Sequence, residues 1–271
     1  IRRFGSEGAN GERLLEPWAI ARLPDGRLIV ADKGNGRLAV FDAGGRFQAS
    51  WGDDDLEEPF DVEVDAGGRV YALDARRGRV EVYDGRGRRL RSIGAGAGLY
   101  GPRGIALAAD GTLYVADTGS NRLVAFSPEG NFLRQIGRQG SDSGQFDQPG
   151  DLAVDAAGDL LVLDTVRNRR LARLDPTGRP LDQWRLEWVS RFVTPGVAYA
   201  PGSGTLYLTD PDRGYLYQYA LDGRLVAAWR EDEFGAHRPM RPTGICVDEA
   251  GGYVYLVDNA RGEVLAYEFS D

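Results

Sequence analysis

The stretch PRGIALAADGTLYVADTGSNRLVAFSPEGNFLRQIG, Pro102 to Gly137, decides how the rest of the chain is read. Four runs of β-forming residues, Gly104–Leu107, Thr112–Ala116, Arg122–Phe126 and Asn131–Ile136, are separated by Asp-Gly, Asp-Thr-Gly-Ser-Asn and Ser-Pro-Glu-Gly turn clusters. Short apolar runs punctuated this tightly predict a four-stranded antiparallel meander.

The unit recurs. Aligned on its opening proline and on the aspartate ending its second strand, the chain contains Pro17, Pro59, Pro102, Pro149, Pro195 and Pro242, with Asp32, Asp74, Asp117, Asp164, Asp210 and Asp258. The aspartate follows its proline by fifteen residues in five copies and sixteen in the last, and the period is 42 to 48 residues. Four strands at that period are the mark of propeller blades, each of which buries its faces only against its neighbours. Six blades are predicted. The last copy reaches only its third strand, Glu263–Phe269, whereas Ile1–Gly5 matches the fourth strand Leu133–Gly137, and twelve residues separate both Gly5 from Pro17 and Gly137 from Pro149. The expectation is an all-β, six-bladed propeller of four-stranded blades. Its ring is closed by the N-terminal strand completing the last blade, as one domain over 1–271.

Composition narrows the function. A net charge of −8 and an acidic isoelectric point near 4.9 disfavour nucleic acid as a partner. Lys33 is the sole lysine among 33 basic residues and sits in no phosphate-binding motif. Cys246, alone, allows no intrachain disulfide and is expected to be a small core residue. No apolar run approaches the roughly 18 residues of a membrane span, so the domain itself is expected to make no membrane contact. The chain starts at Ile1 with neither Met nor a leader-like segment, which places any signal, anchor or neighbouring domain outside it. The compartment stays open, with an extracytoplasmic setting favoured.

Within each unit a glycine (Gly26, Gly68, Gly111, Gly158, Gly204, Gly252) stands six residues before the aspartate, where a tight turn requires positive φ. A basic residue follows the aspartate at Arg37, Arg79, Arg122 and Arg169, replaced by Tyr215 and Glu263 in the last two copies. Recurrence at equivalent sites argues that the aspartate caps its loop with the arginine packed or paired beside it. Tyr114-Val-Ala-Asp-Thr-Gly-Ser-Asn-Arg-Leu-Val-Ala-Phe and Ile29-Val-Ala-Asp-Lys-Gly-Asn-Gly-Arg-Leu-Ala-Val-Phe resemble the core of an NHL repeat. That resemblance runs along the whole chain, strongly in copies one and three and loosely in four to six. It implies a six-bladed propeller and no single activity, since NHL propellers serve as RNA-binding domains, protein-binding and sensor modules of bacterial receptors, and the peptide-amidating lyase.

Trp51, Trp184 and Trp229 fall at the outer-strand position of Phe4, Ile93 and Ile136, so the repeat explains them. Trp18 and Trp188 are unexplained. Trp18 follows its opening proline, where other copies carry Phe60, Arg103, Gly150, Gly196 and Thr243, and this topology puts those positions near the channel mouth. Trp188 lies in the apolar connection Glu187–Phe192. Burial under a loop and exposure for binding are both open to these side chains. A face bearing Trp18, Phe60, Tyr100, Arg103, Trp188, Arg191 and Phe192 has the composition of binding hot spots. Asp61 and Asp151 replace a small residue two positions after the proline, with Glu63 nearby, as solvated channel acids, partners of Arg103, or holders of a metal or cationic ligand.

A zinc lyase of the amidating kind needs several histidines, and His237 is alone. The reading adopted is a noncatalytic recognition or sensor module for a protein, peptide or glycan, without cofactor or bound metal. The alternative is a lactonase-like, metal-assisted hydrolase or lyase acting in the channel.

Overall fold

The computed structural model describes residues 1–6, 12–164, 166–187, 193–230 and 240–268. Among them are 24 strands in six four-stranded antiparallel sheets arranged as the blades of a ring. The first blade is representative: β2 (Pro17–Arg22), β3 (Leu28–Asp32), β4 (Arg37–Phe41) and β5 (Phe47–Trp51) pair in chain order from the channel outwards. Their second and third strands are buried along their whole length, as expected for strands covered on both faces by neighbouring blades.

The last blade is built from both ends of the chain. Its order is β22 (Pro242–Asp248), β23 (Tyr253–Asp258), β24 (Glu263–Glu268) and then β1 (Arg2–Phe4), paired Arg2 with Ala266, Arg3 with Leu265 and Phe4 with Val264. Phe269, expected to end the third strand, lies outside the described residues. Apolar side chains form six clusters, one at each seam between adjacent blades. The seam that closes the ring joins Leu14, Ile20, Leu28 and Phe41 to Tyr255, Val257 and Val264, with Phe4 packed against them.

A second device repeats around the outside. The side chain ending the outer strand of one blade lies against the glycine of the third-to-fourth-strand turn in the next: Phe4 on Gly45, Trp51 on Gly87, Ile93 on Gly130, Ile136 on Gly178, and Trp184 on Gly223. At Gly87 the backbone has φ +84°, and a Cβ would stand 2.5 Å from the Trp51 indole. Both the conformation and the contact demand glycine.

The aspartates ending the second strands are fully buried. Five of the six accept an amide 17 residues earlier, in the connection entering their own blade: Leu15 to Asp32 at 2.7 Å, Glu57 to Asp74 at 2.8 Å, Tyr100 to Asp117 at 2.6 Å, Asp147 to Asp164 at 2.9 Å and Arg241 to Asp258 at 3.1 Å. The arginine pairing expected beside them needs two corrections. Arg37 and Arg122 pair with Asp32 and Asp117 at 2.8 and 2.7 Å, but in the fourth blade the partner of Asp164 is Arg170, not Arg169. Arg169 takes φ +50°, the left-handed position that Gly36 and Asn121 hold in other blades, because this loop is one residue longer. In the second blade Arg79 turns instead to the buried Glu81 at 2.6 Å, and Asp74 accepts the Arg77 amide at 3.0 Å.

Because β1 supplies an outer strand and its Phe4 packs into the closing seam, deleting residues 1–5 is expected to cost at least about 3 kcal/mol, the loss of a large core aromatic. Urea unfolding of the full and shortened chains measures it, and equal midpoints would contradict noncovalent closure.

Candidate functional site

Six inner strands line the central channel: β2 and β22 together with β6 (Pro59–Val64), β10 (Gly104–Leu107), β14 (Leu152–Val154) and β18 (Val197–Ala200). Where these strands begin, neighbouring backbones nearly touch. A Cβ on Gly104 would lie 2.8 Å from the Asp151 Cα, one on Gly196 would lie 2.3 Å from the Thr243 carbonyl, and one on Gly244 would lie 2.5 Å from the Ala19 Cα. The small residues at this level are therefore steric requirements. The mouth encloses a cavity of about 40 Å³, room for two or three waters. Past Ile20, Glu63, Val197 and Ile245 the channel widens to about 360 Å³.

Of the residues expected to form a binding face, four are described. Trp18 is half-buried and tilted against the buried Phe60, with ring centroids 4.3 Å apart. A cation flanks each ring: the Lys33 ammonium lies 5.7 Å from the Trp18 ring and the Arg103 guanidinium 5.6 Å from that of Phe60. The four side chains thus form a row, cation, indole, phenyl, cation, across the entries of the first three blades. Such contacts contribute about 0.5–2 kcal/mol each and hold the charged groups in defined planes. Arg103 is exposed and donates from Nη1 to Thr194 Oγ1 at 2.9 Å, spanning from the third blade to the fifth. Tyr100 is 72% exposed, with its ring over Gly119. Trp188, Arg191 and Phe192 lie outside the described residues.

The channel carboxylates do not pair with Arg103. Asp61 accepts the Val62 amide at 2.8 Å and, from the next blade, the Ile105 amide at 2.7 Å. Asp151 does the same with Leu152 and Val197, both at 2.8 Å. Each is a bolt between the inner strands of adjacent blades, with both oxygens engaged. Glu63 lies deeper, on the wall shared by the mouth and the wider channel.

Burial, reinforced by repulsion from Asp151 and Glu63, holds the Asp61 carboxyl well above the usual carboxylate range. Burial pushes Asp151 up to about 7, and burial with repulsion from Asp151 pushes Glu63 up to about 8. Cys246, expected in the core, is only half-buried; it lines the channel, where burial raises its thiol to about 12. Among the described residues no three His, Cys, Asp or Glu side chains come together in a way that would hold a metal ion, and no helix is long and apolar enough to cross a membrane.

Sequence reasoning missed Lys33 and Thr194 as members of the mouth. The signal for Lys33 was its being the sole lysine; Thr194 carried none.

The NHL repeat signature matches residues 14–41 and 99–126. Over 105 residues the chain is 32% identical to peptidyl-glycine alpha-amidating monooxygenase A of Xenopus laevis, covering 35% of this chain and 11% of that protein. Over 47 residues it is 45% identical to protein lin-41 of Caenorhabditis elegans, covering 17% of this chain and 4% of that one. The matched segments are thus small parts of much longer relatives. The structure of virginiamycin B lyase from Staphylococcus aureus superposes with a TM-score of 0.68 at 11% identity, covering 94% of this chain and 95% of that one, a likeness of fold alone.

The raised carboxyls give stability a definite pH dependence. Glu63 titrates at 4.5 when solvated and at about 8 in the folded ring. Over that interval the folded state holds a proton the unfolded chain has released, so its contribution to stability is full at the acid end and is lost as pH rises. Glu63→Gln should leave stability near pH 4.5 unchanged and raise it near pH 8 relative to wild type, on the order of 2 kcal/mol, since Glu63 is partly exposed to the channel. Urea midpoints of both proteins across this range measure the difference; a variant that gains nothing at the alkaline end would contradict the assignment.

Proposed function

We propose that this chain, which belongs to the NHL-repeat β-propeller family, is a noncatalytic recognition module of one domain that binds a protein or peptide segment across its channel mouth. The fold hosts sites and dictates none of them, so the reading rests on the mouth itself. The observation that carries it is the half-exposed Trp18, tilted against Phe60 between Lys33 and Arg103. Aromatic and arginine side chains already locked in place give up little entropy on binding and are the residue types that dominate protein interfaces. The exposed Tyr100 extends the same rim outward.

A second reading, chemistry within the channel, draws on the raised carboxyls of Asp61, Asp151 and Glu63, since perturbed acids cluster at catalytic sites. It is the weaker of the two, because Asp61 and Asp151 already commit both oxygens to backbone amides. Calcium or zinc is accordingly expected to leave the melting temperature unchanged, since a cation held only by the folded ring would raise it by mass action. A saturable rise that disappears in Asp61→Asn would favour the channel reading instead.

Selection of a displayed peptide library on the immobilised protein, followed by titration of the enriched peptides, tests recognition. Trp18→Ala is expected to weaken binding by about 2 kcal/mol or more, as loss of a hot-spot aromatic does. Its effect on stability should be smaller than that of Trp51→Ala, for which about 3–5 kcal/mol is typical of a buried tryptophan. Binders indifferent to Trp18 would overturn the proposal.

A further inference from the structure

The cations of the rim are not alike. Lys33 pairs with Glu16 and Glu58, each at 3.2 Å, and Arg76 and Arg77 both pair with Glu57 at 2.9 Å. Arg103, on the same rim, makes no ion pair within 4.0 Å among the described residues; Glu58, held by Lys33, attracts it only from beyond that distance. Of the five donors on its guanidinium, one is spent on Thr194 Oγ1, and the planar group is held against the Phe60 ring. A fork fixed by stacking and one hydrogen bond has lost most of the freedom that binding would otherwise remove, and its geometry matches a carboxylate.

We propose that Arg103 is the receptor for one carboxylate of the partner, an aspartate or glutamate side chain set among apolar residues that rest on Trp18 and Phe60. This deepens the recognition reading above and depends on it.

Two features of the surroundings select that chemistry. Glu16 and Glu58, which share the single charge of Lys33, the exposed Asp53 and Asp54 and the net charge of −8 repel a run of acids, so the partner segment carries a single acid in an apolar setting. A lysine or arginine of the partner would meet the like charge of Arg103 at the mouth. Below it, Asp61 and Asp151 have no oxygen uncommitted.

The test uses a library displayed through its C-terminus, so that no free terminal carboxylate competes, and the enriched peptides are resynthesised with acetylated and amidated ends. The expected consensus is one Asp or Glu beside an aromatic or aliphatic residue. Arg103→Gln in the protein and Glu→Gln or Asp→Asn in the peptide should each weaken binding by about tenfold or more, with little further loss when combined, because a single contact is being removed from both sides. Arg103→Lys should restore part of the affinity. Arg103→Gln loses the Thr194 bond and the Phe60 contact and should melt several degrees below wild type; binding is therefore measured well below both melting temperatures, with circular dichroism confirming that the variant is folded, so lost binding would not be lost folding. Enriched peptides without an acid would overturn the inference. So would binding that survives Arg103→Gln within about twofold while Trp18→Ala abolishes it, an outcome that leaves the recognition reading standing. Binding indifferent to both residues would remove both.

Discussion

The interaction on which this structure depends is the hydrogen bond from a connection amide to a buried carboxylate 17 residues later in the chain. It recurs from Leu15 to Asp32, Glu57 to Asp74, Tyr100 to Asp117 and Asp147 to Asp164. A carboxylate at 0% exposure is costly unless it is paired and hydrogen-bonded. Here the cost is offset by that amide, by loop groups such as Asn35 and Asn168, and in five blades by an arginine. The result is a connection pinned to the second strand of the blade it enters. Three residues beyond the pinned amides of Leu15, Glu57 and Tyr100 stand Trp18, Phe60 and Arg103. The row across the channel mouth is therefore set by the same bonds that order the blades.

That dependence explains which parts of the protein were legible in the sequence. Prolines, aspartates and turn glycines recur because every blade repeats one backbone problem, so blade number, strand order and closure by the N-terminal strand could be read directly. Side chain to backbone bonds between blades could not be, because every residue offers a similar amide. By position Asp61 and Asp151 could be solvated channel acids, partners of Arg103 or holders of a cation; instead they accept the amides of Ile105 and Val197, 44 and 46 residues away. The one-residue insertion that moves the ion pair of Asp164 to Arg170 was hidden by the tandem Arg169-Arg170, where either residue suits the pattern. The stacking of Trp51 on Gly87 and of Trp184 on Gly223 was hidden likewise, the glycines already being explained by their turns.

At the mouth the balance between structure and recognition is drawn by side-chain economy. Channel acids spend both oxygens holding neighbouring blades together, and most rim cations are matched by rim glutamates. What is left over is aromatic surface and one guanidinium with donors to spare. The connections that enter the first three blades are anchored at Leu15, Glu57 and Tyr100, so the row they carry is held in place by the fold.

Hydrogen exchange at the Tyr100 amide tests this dependence most directly. In the wild type that amide should exchange only through global unfolding, and Asp117→Ala should speed it by about a hundredfold or more while leaving the Glu57 amide, anchored to Asp74, unaffected. Unchanged protection of Tyr100 in the variant, or equal loss at both amides, would contradict the claim that each buried aspartate fixes the rim of its own blade.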